Sequence, residues 1–535
     1  MLGFLRGLLF IAFQSIGSFQ GLTGSMRLPN PITHLERKLG DTEASYFLPS
    51  RENGVNDMYL HLGFRAPLYI MDPQCVALVW SILRIRHPLL ASQVEMHSYD
   101  DIRFVYTPPR SPEEALKLAE SNIDYRTQPK DELLDSYLNG QRTLSSSRLS
   151  YLIVSNPEKA GVTMNGDSST LLGSSNTDVS REYDLMICAT HFLGDGMALH
   201  AFANEFFSLL SSSDSKGLQD LLTFEWQERC FKRTPASFLP TAMEDRLPEC
   251  STTLQRVASR VEFRNSQDRL IGGQTFPKGA RKARETVAPT VSFDEERTKK
   301  ILKACKNHGV SISSALFAIC NIAWAKTSKV KWDLPTMMYS ALNMRPYLSP
   351  SRQLSDSYWF LSIGYFNVIL PTFIPKDDDD LTRTFWHRAR SAKEQSTNAV
   401  KHPMLIPRTR EMARERGARA RVWAKEDDDK ALGIWKPAPA TTQNKPSPRA
   451  PSSALIGLSL LGNLDGTYKH SRYPEIELHT LTTGSRQRPG GMLLFGYTFR
   501  SKFWVSLGYD KNGFEEGVVE RFWNQVLLSI EELLV

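Results

Sequence analysis

No two cysteines in this chain stand at metal-ligand or redox spacing: Cys75, Cys188, Cys230, Cys250, Cys305 and Cys320 are scattered singly through 535 residues. A zinc ribbon, a Cys-x-x-Cys redox pair and a disulfide framework are thereby set aside, and the apolar surroundings read as buried free thiols in a reducing, cytoplasmic setting. Glycine-rich phosphate loops of either common pattern are absent, and so is a Gly-x-Ser-x-Gly elbow, which disfavours nucleotide-cofactor and serine-hydrolase chemistry. Past the first residues, no apolar run approaches the ~20 residues that a membrane-crossing helix needs. The chain also lacks a strong charge bias: a net charge of +7, with basic residues clustered but not interleaved with aromatics, favours a phosphate-bearing small ligand or plain solubility over a nucleic-acid surface.

What is present is globular: 41% apolar and 23% charged residues, in a chain too long for one core. We read a hydrophobic segment at 1–26, an N-terminal domain at 27–271, a linker at 272–288 and a C-terminal domain at 289–535. Residues 1–13 combine a charged start with a short apolar run and no small-x-small cleavage site follows. A signal, an interfacial helix and a gene-start artefact account for it equally, and membrane contact is expected only through residues 1–20. A helix is expected over Asp72–Arg86 and strands over Ile102–Tyr106 and Ser150–Val154, with a Ser/Asn/Gly-rich loop over Ser155–Arg181. Later come a strand at Val291–Phe293, a helix capped by Asp294 and stopped near Gly309, and an apolar helix capped by Ser311. Strands at Tyr365–Pro371, Leu493–Phe499 and Phe503–Leu507 precede a closing helix. Residues 407–453, Arg-rich, then acidic, then Pro-rich and without apolar period, read as an exposed insertion.

One stretch organises the rest. Tyr183–Ala189 is of strand type, and after His191 the period changes, so that Leu199, Phe202, Phe206 and Leu209 fall on one helical face. A strand therefore hands a histidine to a tight turn at Asp195-Gly196, where glycine removes the Cβ and aspartate can cap the helix. As a string, His-x-x-x-Asp is weak: His97-Ser98-Tyr99-Asp100-Asp101 repeats it with no helix after it. On the residues alone, a capping Asp195 and a packed His191 explain the turn as well as catalysis does. His200, one turn into the helix, reads as a half-buried helical histidine.

The succession Leu83–Leu90, Thr190–Gly196, the helix pair within Phe293–Ala325, Asn343-Met344-Arg345-Pro346, Gly364–Asn367, Ser459–Asp465 and Val505–Asp510 carries a resemblance. In order and separation it resembles the acyl-CoA-dependent acyltransferase superfamily of chloramphenicol acetyltransferase-like fold, most closely the fungal trichothecene 15-O-acetyltransferase type. The resemblance implies an α/β fold of two similar domains, each a mixed sheet with flanking helices, around a central channel. It implies His191 as general base, with Asp195, beside Gly196, turned away from substrate and paired with Arg345. It also implies acyl-CoA as co-substrate, no bound cofactor and no metal, a hydroxylated fungal secondary metabolite such as a terpenoid as acceptor, and a monomer. Ser459 borders the channel in relatives and is the candidate oxyanion donor, against an ordinary strand serine. Two departures weigh on it. The plant-type Asp-Phe-Gly-Trp-Gly motif is missing, Tyr509–Gly513 being an ordinary turn in its place, and Thr190 stands at the first position of the double-histidine signature of carrier-dependent condensation domains. A condensation enzyme and a non-catalytic relative remain the alternatives. The basic run Arg408–Arg421 reads as solvated, with coenzyme A phosphates as the other reading.

Overall fold

The computed structural model describes residues 34–158, 180–231, 239–280, 282–328, 333–349, 357–437 and 451–535. The N-terminal segment and most of the Ser155–Arg181 loop lie outside the described residues. In chain order the first half contains β1 (Leu35–Lys38), α1 (Asp41–Ser50), β2 (Met58–Pro67), α2 (Pro73–Arg86), β3 (Gln93–Ser98), β4 (Asp101–Tyr106), α3 (Pro112–Glu120), β5 (Ile123–Arg126) and α4 (Lys130–Asn139). It continues with β6 (Ser150–Ser155), β7 (Ser180–Ala189), α5 (Gly196–Leu210), α6 (Ser215–Trp226), α7 (Met243–Arg246) and α8 (Thr253–Asp268). The second half contains β8 (Thr286–Val287), β9 (Thr290–Phe293), α9 (Glu295–Asn307), α10 (Ile312–Thr327), β10 (Thr336–Asn343), β11 (Ile363–Leu370), α11 (Asp378–Lys401) and α12 (Leu405–Ala431). It closes with β12 (Ile456–Asn463), β13 (Glu477–Ser485), β14 (Met492–Phe499), β15 (Lys502–Asp510) and α13 (Val518–Leu534).

Local chemistry sets the helix ends. Asp72 accepts from the N–H groups of Gln74 and Cys75 ahead of Pro73, and α2 stops where Pro88 begins a short 3₁₀ turn. Asp294 and Ser311 cap α9 and α10 through the N–H groups of Arg297 and Ser314, and Gly309 between them takes φ +67°, which a side chain would disfavour. Both helices form where the sequence placed them. Helix α10 is apolar on every side because it is buried on every side, from Ser314 to Trp324.

Each half has its own core. One gathers α2 and α5 on the sheet β13-β2-β7-β6-β5; the other gathers α10, α11 and α13 on β11-β10-β12-β14-β15-β8, with β9 also paired to β15. Both sheets are mixed: β5–β6, β10–β12 and β12–β14 are parallel and the remaining pairs antiparallel. A small antiparallel sheet, β1-β4-β3, flanks the first half.

Two expectations require correction. The two domains are not separate in sequence: β13, from the second half, lies at the edge of the first sheet with Leu481 opposite Leu62. Nor is 272–288 a free linker, since Gly272 bridges to Ser452 and Val287 pairs with Tyr509. Second, most of the expected exposed insertion is a helix. In α12, Thr409, Ala413, Gly417 and Ala424 are buried, with Ala420 packed beside them. The helix lies so close to α1 that a Cβ on Gly417 would sit 2.6 Å from Asp41 Oδ1. A face of small residues carries no hydrophobic period, so it escaped the pattern. Residues 438–450 of that segment lie outside the described residues.

Candidate active site

Strand β7 runs buried to Ala189, Thr190 remains extended, and His191–Leu193 makes a single 3₁₀ turn before α5. The His191 Nδ1 lies 3.1 Å from the Gly194 carbonyl oxygen. A carbonyl only accepts, so Nδ1 carries the proton and Nε2 keeps its lone pair. The ring sits half-buried on the wall of a cavity of about 1050 Å³. Burial pushes its pKa below the ordinary histidine value, against the opposing pull of its backbone hydrogen bonds and of Asp195. The imidazole is therefore neutral at pH 7.

Asp195 is 3% exposed and fully engaged. Oδ1 accepts from the N–H groups of Met197 (3.1 Å) and Ala198 (3.2 Å), capping α5. Oδ2 accepts from Ser362 N–H (2.9 Å), and Arg345 Nη1 reaches both oxygens, at 2.9 and 2.8 Å. Arg345 follows β10, and its Nη2 donates to the carbonyls of Tyr358 and Phe360. The carboxylate thus fastens the histidine turn to the second half. Gly196 differs from expectation: it has no positive φ, and a Cβ there would touch only Leu461 Cδ2, at 3.4 Å. What the glycine leaves is open space in the cavity.

Ser459 lies on the same cavity wall, on β12 opposite Phe495 of β14. His200 does not: it is fully buried, Nδ1 2.9 Å from the Tyr468 hydroxyl, with its pKa pushed down to about 3 by burial. His97 is exposed on β3, and Asp510 is spent on the N–H groups of Glu285 and Gly490, so both keep their ordinary readings. The basic run is solvated only in part: Arg414 and Arg419 are exposed, and the other arginines are half-buried. Arg408 pairs with Glu262, Arg410 with Glu249, and Arg421 with Asp41. Among the described residues no three His, Cys, Asp or Glu side chains are placed to hold a metal ion.

The structure adds residues that sequence reasoning passed over. The Tyr46 ring of α1 lies 4.4 Å from the His191 ring, and its hydroxyl is hydrogen-bonded to that of Tyr365 on β11. The Arg416 guanidinium of α12 lies over both phenols, 5.6 Å from Tyr46 and 4.5 Å from Tyr365. The spacing Thr409, Ala413, Gly417, Ala420, Ala424 was the available signal, since it places Arg416 at the margin of a packed face.

No family model matches the sequence, and no curated protein matches it either. Solved structures do match. The trichothecene 15-O-acetyltransferase TRI3 from Fusarium sporotrichioides superposes with a TM-score of 0.70 at 15% identity, over 96% of this chain and 97% of that one. The condensation domain of the monacolin K polyketide synthase MokA gives 0.55 at 10% identity, over 94% and 99% of the two chains. The first condensation domain of the calcium-dependent antibiotic synthetase also gives 0.55 at 10%, over 94% and 97%. The fold is therefore the two-domain, chloramphenicol acetyltransferase-like fold shared by acyltransferases and condensation domains. At such identities the likeness extends to the fold; the chemistry is argued below from the site.

Proposed function

We propose that this protein is an acyltransferase that moves an acyl group, acetyl or similarly short, from coenzyme A to a hydroxyl of a small hydrophobic metabolite of terpenoid type. The observation that carries the reading is the placement of His191: Nδ1 3.1 Å from the Gly194 carbonyl oxygen, which assigns the proton to Nδ1 and leaves Nε2 as the acceptor, in a ring on the wall of a cavity lined by both halves. Nε2 takes the hydroxyl proton as the oxygen attacks the thioester carbon; the C–O bond forms and a tetrahedral oxyanion results. Ser459 is the candidate donor to that oxyanion. The C–S bond then breaks and the imidazolium returns its proton to the departing thiolate, so no covalent enzyme intermediate and no metal enter. A base of this kind contributes ~10²- to 10⁴-fold, with alignment and the oxyanion donor supplying more. Asp195 and Arg345 act by holding the turn. Lys278 and Arg488, on the cavity wall with no carboxylate within 4.0 Å among the described residues, are the cations available to coenzyme A phosphates.

The condensation-domain neighbours support a second reading, in which the donor is a carrier-bound thioester. One experiment separates the two. The purified chain is incubated with acetyl-CoA and a panel of terpenoid alcohols, with free thiol and product mass as readouts and no carrier protein present. Transfer with thiol release supports the first reading, and His191→Ala is expected to lower it by ~10²- to 10⁴-fold with unchanged circular dichroism. Near-normal turnover in that variant refutes His191 as base; transfer that appears only with a carrier thioester replaces the first reading with the second.

A further inference from the structure

Helix α12 carries six arginines, and five of them are neutralised: Arg408 by Glu262, Arg410 by Glu249, Arg414 by Glu411, Arg419 by Glu415 and Arg421 by Asp41. Arg416 differs. It lines the cavity, and among the described residues no carboxylate lies within salt-bridge distance of it. Its neighbours are the faces of Tyr46 and Tyr365. Burial pushes the hydroxyls of Tyr46 and Tyr339 above the usual tyrosine range, so neither serves as a phenolate counter-ion. A guanidinium does not shed its proton, and two aromatic faces offset only part of the cost of withdrawing it from water. The close approach of α12 to α1 at Gly417 fixes where that charge points.

The structure thus presents a preorganised cation, short of one anion, on the same cavity wall as His191 and beside the Tyr46 ring that lies 4.4 Å from the imidazole. We infer that Arg416 receives a carboxylate carried by the substrate, on the acyl acceptor or at the distal end of the acyl group. Coenzyme A phosphates are the wrong anion for this position. The thioester carbon must lie beside Nε2, and the whole pantetheine arm separates it from the pyrophosphate. A carboxylate here would meet a planar fork of donors, which Arg offers and Lys does not. The inference rests on the transfer reading for its view of the cavity as the substrate site, and it narrows the substrate class to anionic molecules.

The test is isothermal titration of the full chain and of its Arg416→Gln and Arg416→Lys variants. The probes are acetyl-, malonyl- and succinyl-coenzyme A, and mandelate and 4-hydroxyphenyllactate beside their methyl esters. At least one carboxylate-bearing probe is expected to bind the wild type about tenfold to a hundredfold more tightly than its neutral counterpart. Arg416→Gln should abolish that preference and Arg416→Lys keep part of it, with both variants melting like the parent. A preference confined to the thioesters places the carboxylate on the acyl group, and one confined to the hydroxy acids places it on the acceptor. Equal binding of charged and neutral probes by the wild type, or a preference that survives in Arg416→Gln, overturns the inference. Because binding is read, the outcome stays apart from catalysis: a carboxylate preference without acyl transfer from any thioester sinks the transfer reading alone.

Discussion

The pair Asp195–Arg345 gives the sharpest test of how the turn is held. Asp195→Asn keeps the size of the side chain and one oxygen to cap α5, but it sets an amide against Arg345 and the Ser362 N–H. Asp195 is 4% exposed in its side chain and Arg345 21%, so the pair is largely withdrawn from water. Breaking such a pair by removing one partner costs ~3–5 kcal/mol, and the Tyr358 and Phe360 carbonyls that still hold Arg345 place Asp195→Asn at the low end, about 3 kcal/mol. Arg345→Gln leaves Asp195 its three backbone donors and should cost about 2 kcal/mol. The double variant should lose about 3 kcal/mol and not 5, because neither residue is then left unpaired. Strand β13 ties the halves together, and an unfolding entropy of ~2.1 cal/mol/K per residue over 535 residues makes 1 kcal/mol worth about 1 °C. Calorimetry of the four proteins at one pH should therefore show losses of about 3, 2 and 3 °C. A double variant that falls by about 5 °C refutes the coupling, and with it the claim that this pair fixes the His191 turn to the second half.

Other expectations follow from the same geometry. Because burial lowers the His191 pKa and only the neutral ring accepts a proton, kcat/KM should rise with pH and level off with its midpoint below 6.5; a midpoint above 6.5 contradicts the assignment. Removing the Arg416 charge, which also lowers that pKa, should move the midpoint upward. His200 falls to about 3 in the fold from 6.5 unfolded, so its contribution to stability is present in full above 6.5 and is lost as pH falls toward 3. Urea midpoints across that window should decline more steeply in the parent than in His200→Asn, and parallel slopes would count against this. Gly417→Leu drives a side chain into Asp41 and should cost about 1–3 kcal/mol while weakening binding in the cavity, read by melting temperature and titration.

How much of this was legible from the sequence depended on what kind of residue did the packing. Helices α2, α9 and α10 announced themselves because large apolar faces and capping side chains leave local signals, and Asp294 and Ser311 cap where the spacing put them. Helix α12 left none of the usual kind. Past Leu405 at its start, its buried residues are threonine, alanine and glycine, and its arginines suggested solvent, although the helix formers Ala, Arg and Glu dominate it. Tyr46 gave no signal and Tyr365 only that of a strand, because a shared wall around His191 joins elements 319 residues apart.

The chain alone determined that a strand would end in a histidine turn capped by Asp195, since period, glycine and cap are properties of neighbouring residues. It also set the two cores and the order of their elements. Tertiary structure decided the rest: β13 crossing to the other sheet and Arg416 left without a carboxylate at the cavity wall, while the closing of Arg345 on Asp195 was implied by the family resemblance and by no local pattern. Those are contacts between residues distant in sequence, where the free energy lies in pairing and desolvation that no local pattern encodes.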